Sequence, residues 1–158
     1  MNRLSNDFVK LQKYAYFWRL YAWNGQKQGL SIPRKPVKKY IDLYRELKIS
    51  KSELQQAIGE DLHNVKCKKA SRIKRSDVVN AIQLLLNGTI DKDTLVEWVN
   101  VIWFTELFVF DDKDADSIVS VLEVLETMDE DGVIVSEDEF LKMITALTSN
   151  TEYTMPWS

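Results

Sequence analysis

Apolar residues return at steps of three and four along most of this chain, and short polar breaks separate the stretches that carry that spacing. Phe8, Leu11, Ala15, Trp18 and Ala22 form the first stripe, which predicts an amphipathic helix ending near Asn24-Gly25. Gly29–Pro36 is a connector, because Pro33 and Pro36 forbid helix interior there. Val37–Leu47 follows as a short helix with Tyr40, Ile41, Tyr44 and Leu47 on one face. Ser50 with Glu53 three residues on reads as a capping box for a helix over Lys51–Ile58. Lys66–Arg75 has six cations in ten residues and only weak periodicity.

The pattern sharpens in the second half. Ser76 or Asp77 is placed to cap Val78–Leu86, which ends at Asn87-Gly88, a left-handed C-terminal signal. Thr89 or Asp91 opens the next helix, with Leu95, Trp98, Val99 and Ile102 as its inner stripe. Beyond Val101 the chain is apolar nearly all round, through Val101–Phe104 and again Leu107–Phe110, which predicts a central buried helix. Asp114 or Asp116 then caps a helix carrying Ile118, Val121, Leu122 and Leu125, broken by Asp129–Gly132. Ser136 with Glu139 is a second capping box, ahead of Phe140, Met143, Ile144 and Leu147. Only Gly132–Val135 suggests an extended stretch. The expected fold is all-α, a single-domain bundle of about six to eight helices over residues 1–158. Within it lie a basic N-terminal part (1–75), an acidic part (76–150) and a tail (151–158).

Charge changes the picture. Met1–Ser76 carries eighteen Lys and Arg against six Asp and Glu, a balance of +12. Asp77–Ser158 carries three Lys against eighteen Asp and Glu, a balance of −15, and the near-neutral total of −3 hides this dipole. Self-repulsion of that size weakens a compact state, so a functional reason for the acidic half is favoured: a cationic macromolecular partner. One Cys, Cys67, excludes an intramolecular disulfide, and the N-terminal stretch lacks a clean signal-peptide core. The most apolar run, Val99–Phe110, is too short for a bilayer, so no membrane role and a cytoplasmic location are expected.

Candidate chemistry is sparse. Aligning Gly132 with the glycine of an EF-hand loop puts Asp129 and Asp131 on ligand positions, but Thr127 replaces the first Asp and Asp138 the bidentate Glu. A helix stop followed by a capped start explains the same residues. His63 and Cys67, four apart, make half of a zinc site, and nothing locates a triad around His63. Glu97 and Glu106, nine apart, are either paired buried carboxylates or an outward face, the second being cheaper. Trp18, Trp23, Trp98 and Trp103 read as core and Trp157 as an exposed anchor. No Gly-rich phosphate loop or nucleophile motif is visible, so no enzyme, no cofactor and no metal are expected.

The stretch LLLNGTIDKDTLVEWVNVIWF resembles a pattern in small helical immunity proteins of bacterial toxin systems. There a leucine pair and Gly end one helix, and a short turn leads into a helix with Trp. The matching positions are Leu85, Leu86, Gly88, Ile90, Asp91, Asp93 and Trp98, with Val99 where Ala is commoner, and the resemblance covers about residues 77–147. It implies a cytosolic, non-enzymatic protein that binds and neutralises a cognate toxin domain, with a basic nuclease as the expected class. The acidic surface fits such a partner, with Asp111, Asp112, Asp114, Asp116, Glu123, Glu126, Asp129, Glu130 and Asp131 as toxin-binding residues. The competing reading is a nucleic-acid-associated or adaptor protein using Lys66–Arg75 and the cations of Ile32–Lys39. Nucleic acid is not the partner the acidic half suggests.

Overall fold

The structure, a computed structural model, describes residues 37–59, 61–66 and 70–156. The helix expected over Phe8–Ala22, the connector Gly29–Pro36, and Cys67, Trp18, Trp23 and Trp157 lie outside the described residues. Within them the protein is largely helical. Six α-helices run over α1 (Val37–Arg45), α2 (Lys51–Ile58), α3 (Arg75–Leu86), α4 (Lys92–Phe104), α5 (Asp112–Glu126) and α6 (Glu137–Ser149). Single 3-10 turns sit at Leu62–Asn64 and Thr127–Asp129, and two short strands, β1 (Ser71–Ile73) and β2 (Phe108–Phe110), pair with each other.

The helix signals work as their chemistry requires. Ser50 Oγ accepts from Glu53 N–H at 3.1 Å, and the Glu53 carboxylate accepts from Ser50 N–H at 3.1 Å, closing the capping box of α2. Asp91 caps α4, its Oδ1 2.7 Å from the N–H of Thr94, and Ser136 caps α6 by accepting from Glu139 N–H. At the end of α3, Gly88 is left-handed (φ 80°). Gly88 N–H then reaches Leu85 O and Thr89 N–H reaches Leu84 O, satisfying carbonyls the helix leaves open.

Three boundaries differ from the sequence expectation. Helix α1 ends at Arg45, and Leu47 takes the left-handed position (φ 58°) that closes it. Leu47 N–H and Lys48 N–H bond the carbonyls of Tyr44 and Leu43. A Leu has no conformational preference for that role, so the sequence gives no stop signal there. Helix α3 starts two to three residues early, with Lys74 at the N-cap position and Asp77 in the first turn accepting from Lys74 N–H at 2.8 Å. Helix α5 starts at Asp112, with Asp111 rather than Asp114 or Asp116 at the N-cap.

The apolar run after Val101 is not one helix. Thr105 is extended (φ −123°, ψ 164°), its Oγ1 donates back to Val101 O at 2.7 Å, and the chain turns before entering β2. Ser71, Arg72 and Ile73 of β1 pair in parallel with Phe108, Val109 and Phe110. Ser71, Ile73 and Phe108 are buried while Arg72 and Val109 face out, the alternation of a strand pair with one covered face. Gly132–Val135 forms a turn and coil, not a strand.

Helix α4 is the centre of the molecule. Seven of its thirteen residues are buried (Leu95, Val96, Trp98, Val99, Val101, Ile102 and Trp103), and α3, α5 and β2 all pack against it. Helix α6 lies across α3 and α5, and α1 packs on α2 and β1. Residues 151–156 are not a free tail. Tyr153 and Met155 are buried, and Tyr153 N–H donates to Ser120 Oγ at 2.8 Å. The Tyr153 hydroxyl donates to the buried Glu139 carboxylate, a bond that pulls the Glu139 pKa down.

Candidate protein-binding surface

The nine carboxylates expected to form a toxin-binding face lie at the N-cap of α5, on α5, or in the 3-10 turn and loop that follow it, and the structure divides them into two groups. At the N-terminal end, Asp111 is 2.9 Å from an Arg72 guanidinium nitrogen, and Asp114 accepts from Arg75 Nε at 3.0 Å. Asp114 is buried, so this is a desolvated pair rather than a surface rim. The same Arg75 donates to the carbonyls of Leu147 and Thr148 at 2.8 and 3.2 Å, joining α3 and α5 to the end of α6. The basic segment thus docks in part on the acidic half of its own chain. Asp112 and Asp116 remain exposed.

The C-terminal end of α5 is different. Glu123 and Glu126 are half-buried, Asp129, Glu130 and Asp131 are exposed, and no basic residue occupies the last turn of the helix. Burial pushes the Glu126 pKa up, and the charges of Glu123, Glu130 and Asp129 push it further in the same direction. Those contributions place Glu126 within the field of the other three carboxylates. They also stand at the negative end of the α5 dipole, where cations are the stabilising choice. This end of the molecule therefore concentrates negative charge at a cost to its own stability.

That cost has a testable sign. Glu126 ionises less readily in the folded protein than in the unfolded chain. Its contribution to stability is complete below the unfolded pKa and is lost as pH rises through the folded one. Replacing Glu126 by Gln is expected to raise stability at neutral pH by about 0.5 kcal/mol, the scale of one removed like-charge contact. Urea unfolding at pH 4 and pH 7 checks it, because the gain should shrink at the lower pH. A loss of stability at pH 7 would show that the carboxylate has a partner.

The remaining candidates resolve into structure. His63 sits in a 3-10 turn with Nδ1 3.2 Å from Phe104 O, tying that turn to the end of α4. Among the described residues no group of three or more His, Cys, Asp or Glu could hold a metal ion. In the EF-hand-like stretch, Thr127 Oγ1 donates to Val124 O at 2.8 Å, so the residue at the first ligand position closes α5 instead. Gly132 is left-handed (φ 83°), as a tight turn between two helices requires. Glu97 is exposed on α4, whereas Glu106 is half-buried in the turn beyond it, its pKa raised by burial against the lowering influence of Lys66. The break at Thr105 removes the helical relation assumed between them. Trp98 and Trp103 are core residues, as their spacing predicts. Of the alternative basic surface, Lys38 is 2.9 Å from the Asp42 carboxylate, and Arg72 and Arg75 are engaged as described.

The sequence reading missed a buried polar network under α1. Arg45 donates to Ser71 Oγ at 2.8 Å, and Ser71, fully buried, donates to Asp42 at 2.7 Å. Burial would raise the Asp42 pKa, but the hydrogen bonds from Lys38 and Ser71 and the charges of Lys38 and Arg45 bring it below the usual range. Arg45 Nε also lies 3.6 Å from Asp77, whose pKa burial nevertheless keeps raised. Only the alternation of the SRI segment hinted at Ser71, and three residues are too few to read.

Among the described residues no helix is long and apolar enough to cross a membrane. Comparison of the chain with known protein families, curated proteins and solved structures finds no match in any of the three.

Proposed function

We propose that this protein acts by binding rather than by chemistry, as an immunity protein that neutralises a toxin domain with a cationic surface, a nuclease being the class its charge fits. The observation that carries the reading is the cluster of carboxylates at the C-terminal end of α5, Glu123, Glu126, Asp129, Glu130 and Asp131, the last three of them exposed. Such a group speeds encounter with an oppositely charged partner but contributes modestly to affinity. The tight hold needs a desolvated apolar anchor. Ile134, three residues beyond Asp131, is 81% exposed and supplies one. The narrower assignment to toxin immunity rests on the resemblance carried by Leu85, Leu86, Gly88, Ile90, Asp91, Asp93 and Trp98.

The test is coexpression with the protein encoded immediately upstream. That protein alone should arrest growth of a bacterial host, and coexpression of this chain should restore it. Absence of arrest, or arrest that this chain does not relieve, overturns the proposal. Binding of the purified chain to nucleic acid at micromolar concentration with a steep salt dependence would favour the basic-half reading instead.

A further inference from the structure

A cleft of about 580 Å³ opens where the first turns of α3 and α5 meet, lined also by the last turn of α6. Its volume lies in the range of small-ligand sites. It stands just beyond the carboxyl ends of the parallel strands β1 and β2.

Its lining is the reverse of the surrounding surface. Four cations, Arg72, Lys74, Arg75 and Lys113, face two carboxylates, Asp111 and Asp114. Each carboxylate is already matched by one arginine, at 2.9 and 3.0 Å. Lys74 and Lys113 are exposed, and neither makes a salt bridge among the described residues. Counted over its lining, the cleft holds two more cations than carboxylates, with Asp77 behind Lys74 at the start of α3. Arg72 has its side chain 60% exposed and remains able to share its guanidinium with a second acceptor. The Ser76 hydroxyl adds a neutral donor at the wall. Asp111 occupies the N-cap position of α5 without making a cap hydrogen bond, since its carboxylate is turned to Arg72. Backbone donors in that first turn thereby lack the usual side-chain acceptor.

We infer that this cleft binds a small phosphate-bearing anion, held by Lys74, Lys113 and the Arg72 guanidinium. The site is independent of the proposed partner surface at the other end of α5.

Backbone amide spectra of the ¹⁵N-labelled full chain, titrated with pyrophosphate at constant ionic strength, test it. The amides of Ser76 and Lys113 should shift in a saturable way that sodium chloride does not reproduce. The Lys74→Ala/Lys113→Ala double variant should keep its melting temperature and raise the dissociation constant about tenfold or more, the loss expected of one charge-assisted contact. A parallel titration with ADP separates sources: tighter binding of ADP indicates a nucleoside phosphate, and tighter binding of pyrophosphate a free polyphosphate. Amides in the cleft that do not move, or shifts that survive in the double variant, overturn the inference. The second outcome would place the anion on the basic segments elsewhere in the chain.

Discussion

Replacing Trp98 by Ala is expected to cost about 4 kcal/mol of folding stability, the upper range for deleting a large core side chain. Trp98 is fully buried on α4, the helix against which α3, α5, β2 and the Thr127–Asp129 turn pack. Its indole N–H is 3.2 Å from the carbonyls of both Tyr44 and Arg45, the last residues of α1. The Tyr44 carbonyl also accepts from Leu47 N–H, so the indole is a second donor there and the donor for the Arg45 carbonyl at the helix end; one side chain fills the core and closes a neighbouring helix. The Ala variant loses both contributions. Trp98→Phe keeps most of the volume and loses the donor, so it should cost about 1–2 kcal/mol, the penalty of leaving the Arg45 carbonyl unmatched. Urea unfolding of the two variants separates packing from hydrogen bonding. Equal losses would mean that the N–H rather than the packed volume carries the cost, no loss for Phe would mean that the N–H contributes nothing, and a loss below about 1 kcal/mol for Ala would contradict the central position of α4.

Arg75→Ala is expected to cost about 3 kcal/mol, because it strips a buried carboxylate of its partner. Asp114 would be left with 12% of its side chain exposed and no guanidinium, and the carbonyls of Leu147 and Thr148 would lose their donor. Removing both members of the pair is the control. Arg75→Met combined with Asp114→Leu should recover most of the loss, since an apolar pair of similar size avoids the desolvation penalty. If the double variant is as unstable as Arg75→Ala, the bonds to the α6 carbonyls dominate and the ion pair matters little.

How far the fold was legible follows from where signals are redundant. Helices α4 and α6 were readable because each combines an apolar stripe with a capping residue, and α2 because its Ser50–Glu53 capping box marks its start. Helix α1 lacked the second signal: Leu47 closes it by backbone conformation alone. The run Val101–Phe110 misled because continuous apolarity does not distinguish a buried helix from a buried strand. Thr105 decides the matter through one hydroxyl and an extended backbone. The parallel pairing of Ser71–Ile73 with Phe108–Phe110 joins residues 37 apart in sequence, and no local pattern encodes it.

The acidic surface was legible as charge but not as geometry. Composition placed eighteen carboxylates in the second half, yet it could not show that Arg72 and Arg75 neutralise the Asp111–Asp114 end. Substituting that end would disturb folding as well as steering. At the other end of α5, Asp129, Glu130 and Asp131 are exposed, and burial first, then the charges of Glu123, Glu130 and Asp129, raises the pKa of Glu126.

The most direct measurement is therefore stopped-flow association of this protein with the proposed toxin partner. It compares the wild type with a variant carrying Glu123→Gln, Glu126→Gln, Asp129→Asn, Glu130→Gln and Asp131→Asn. The account predicts that the variant folds at least as stably as the wild type. At low salt it should associate about tenfold or more slowly, with most of the wild-type salt dependence gone. An association rate unchanged at low salt would contradict the claim that this end of α5 meets the partner.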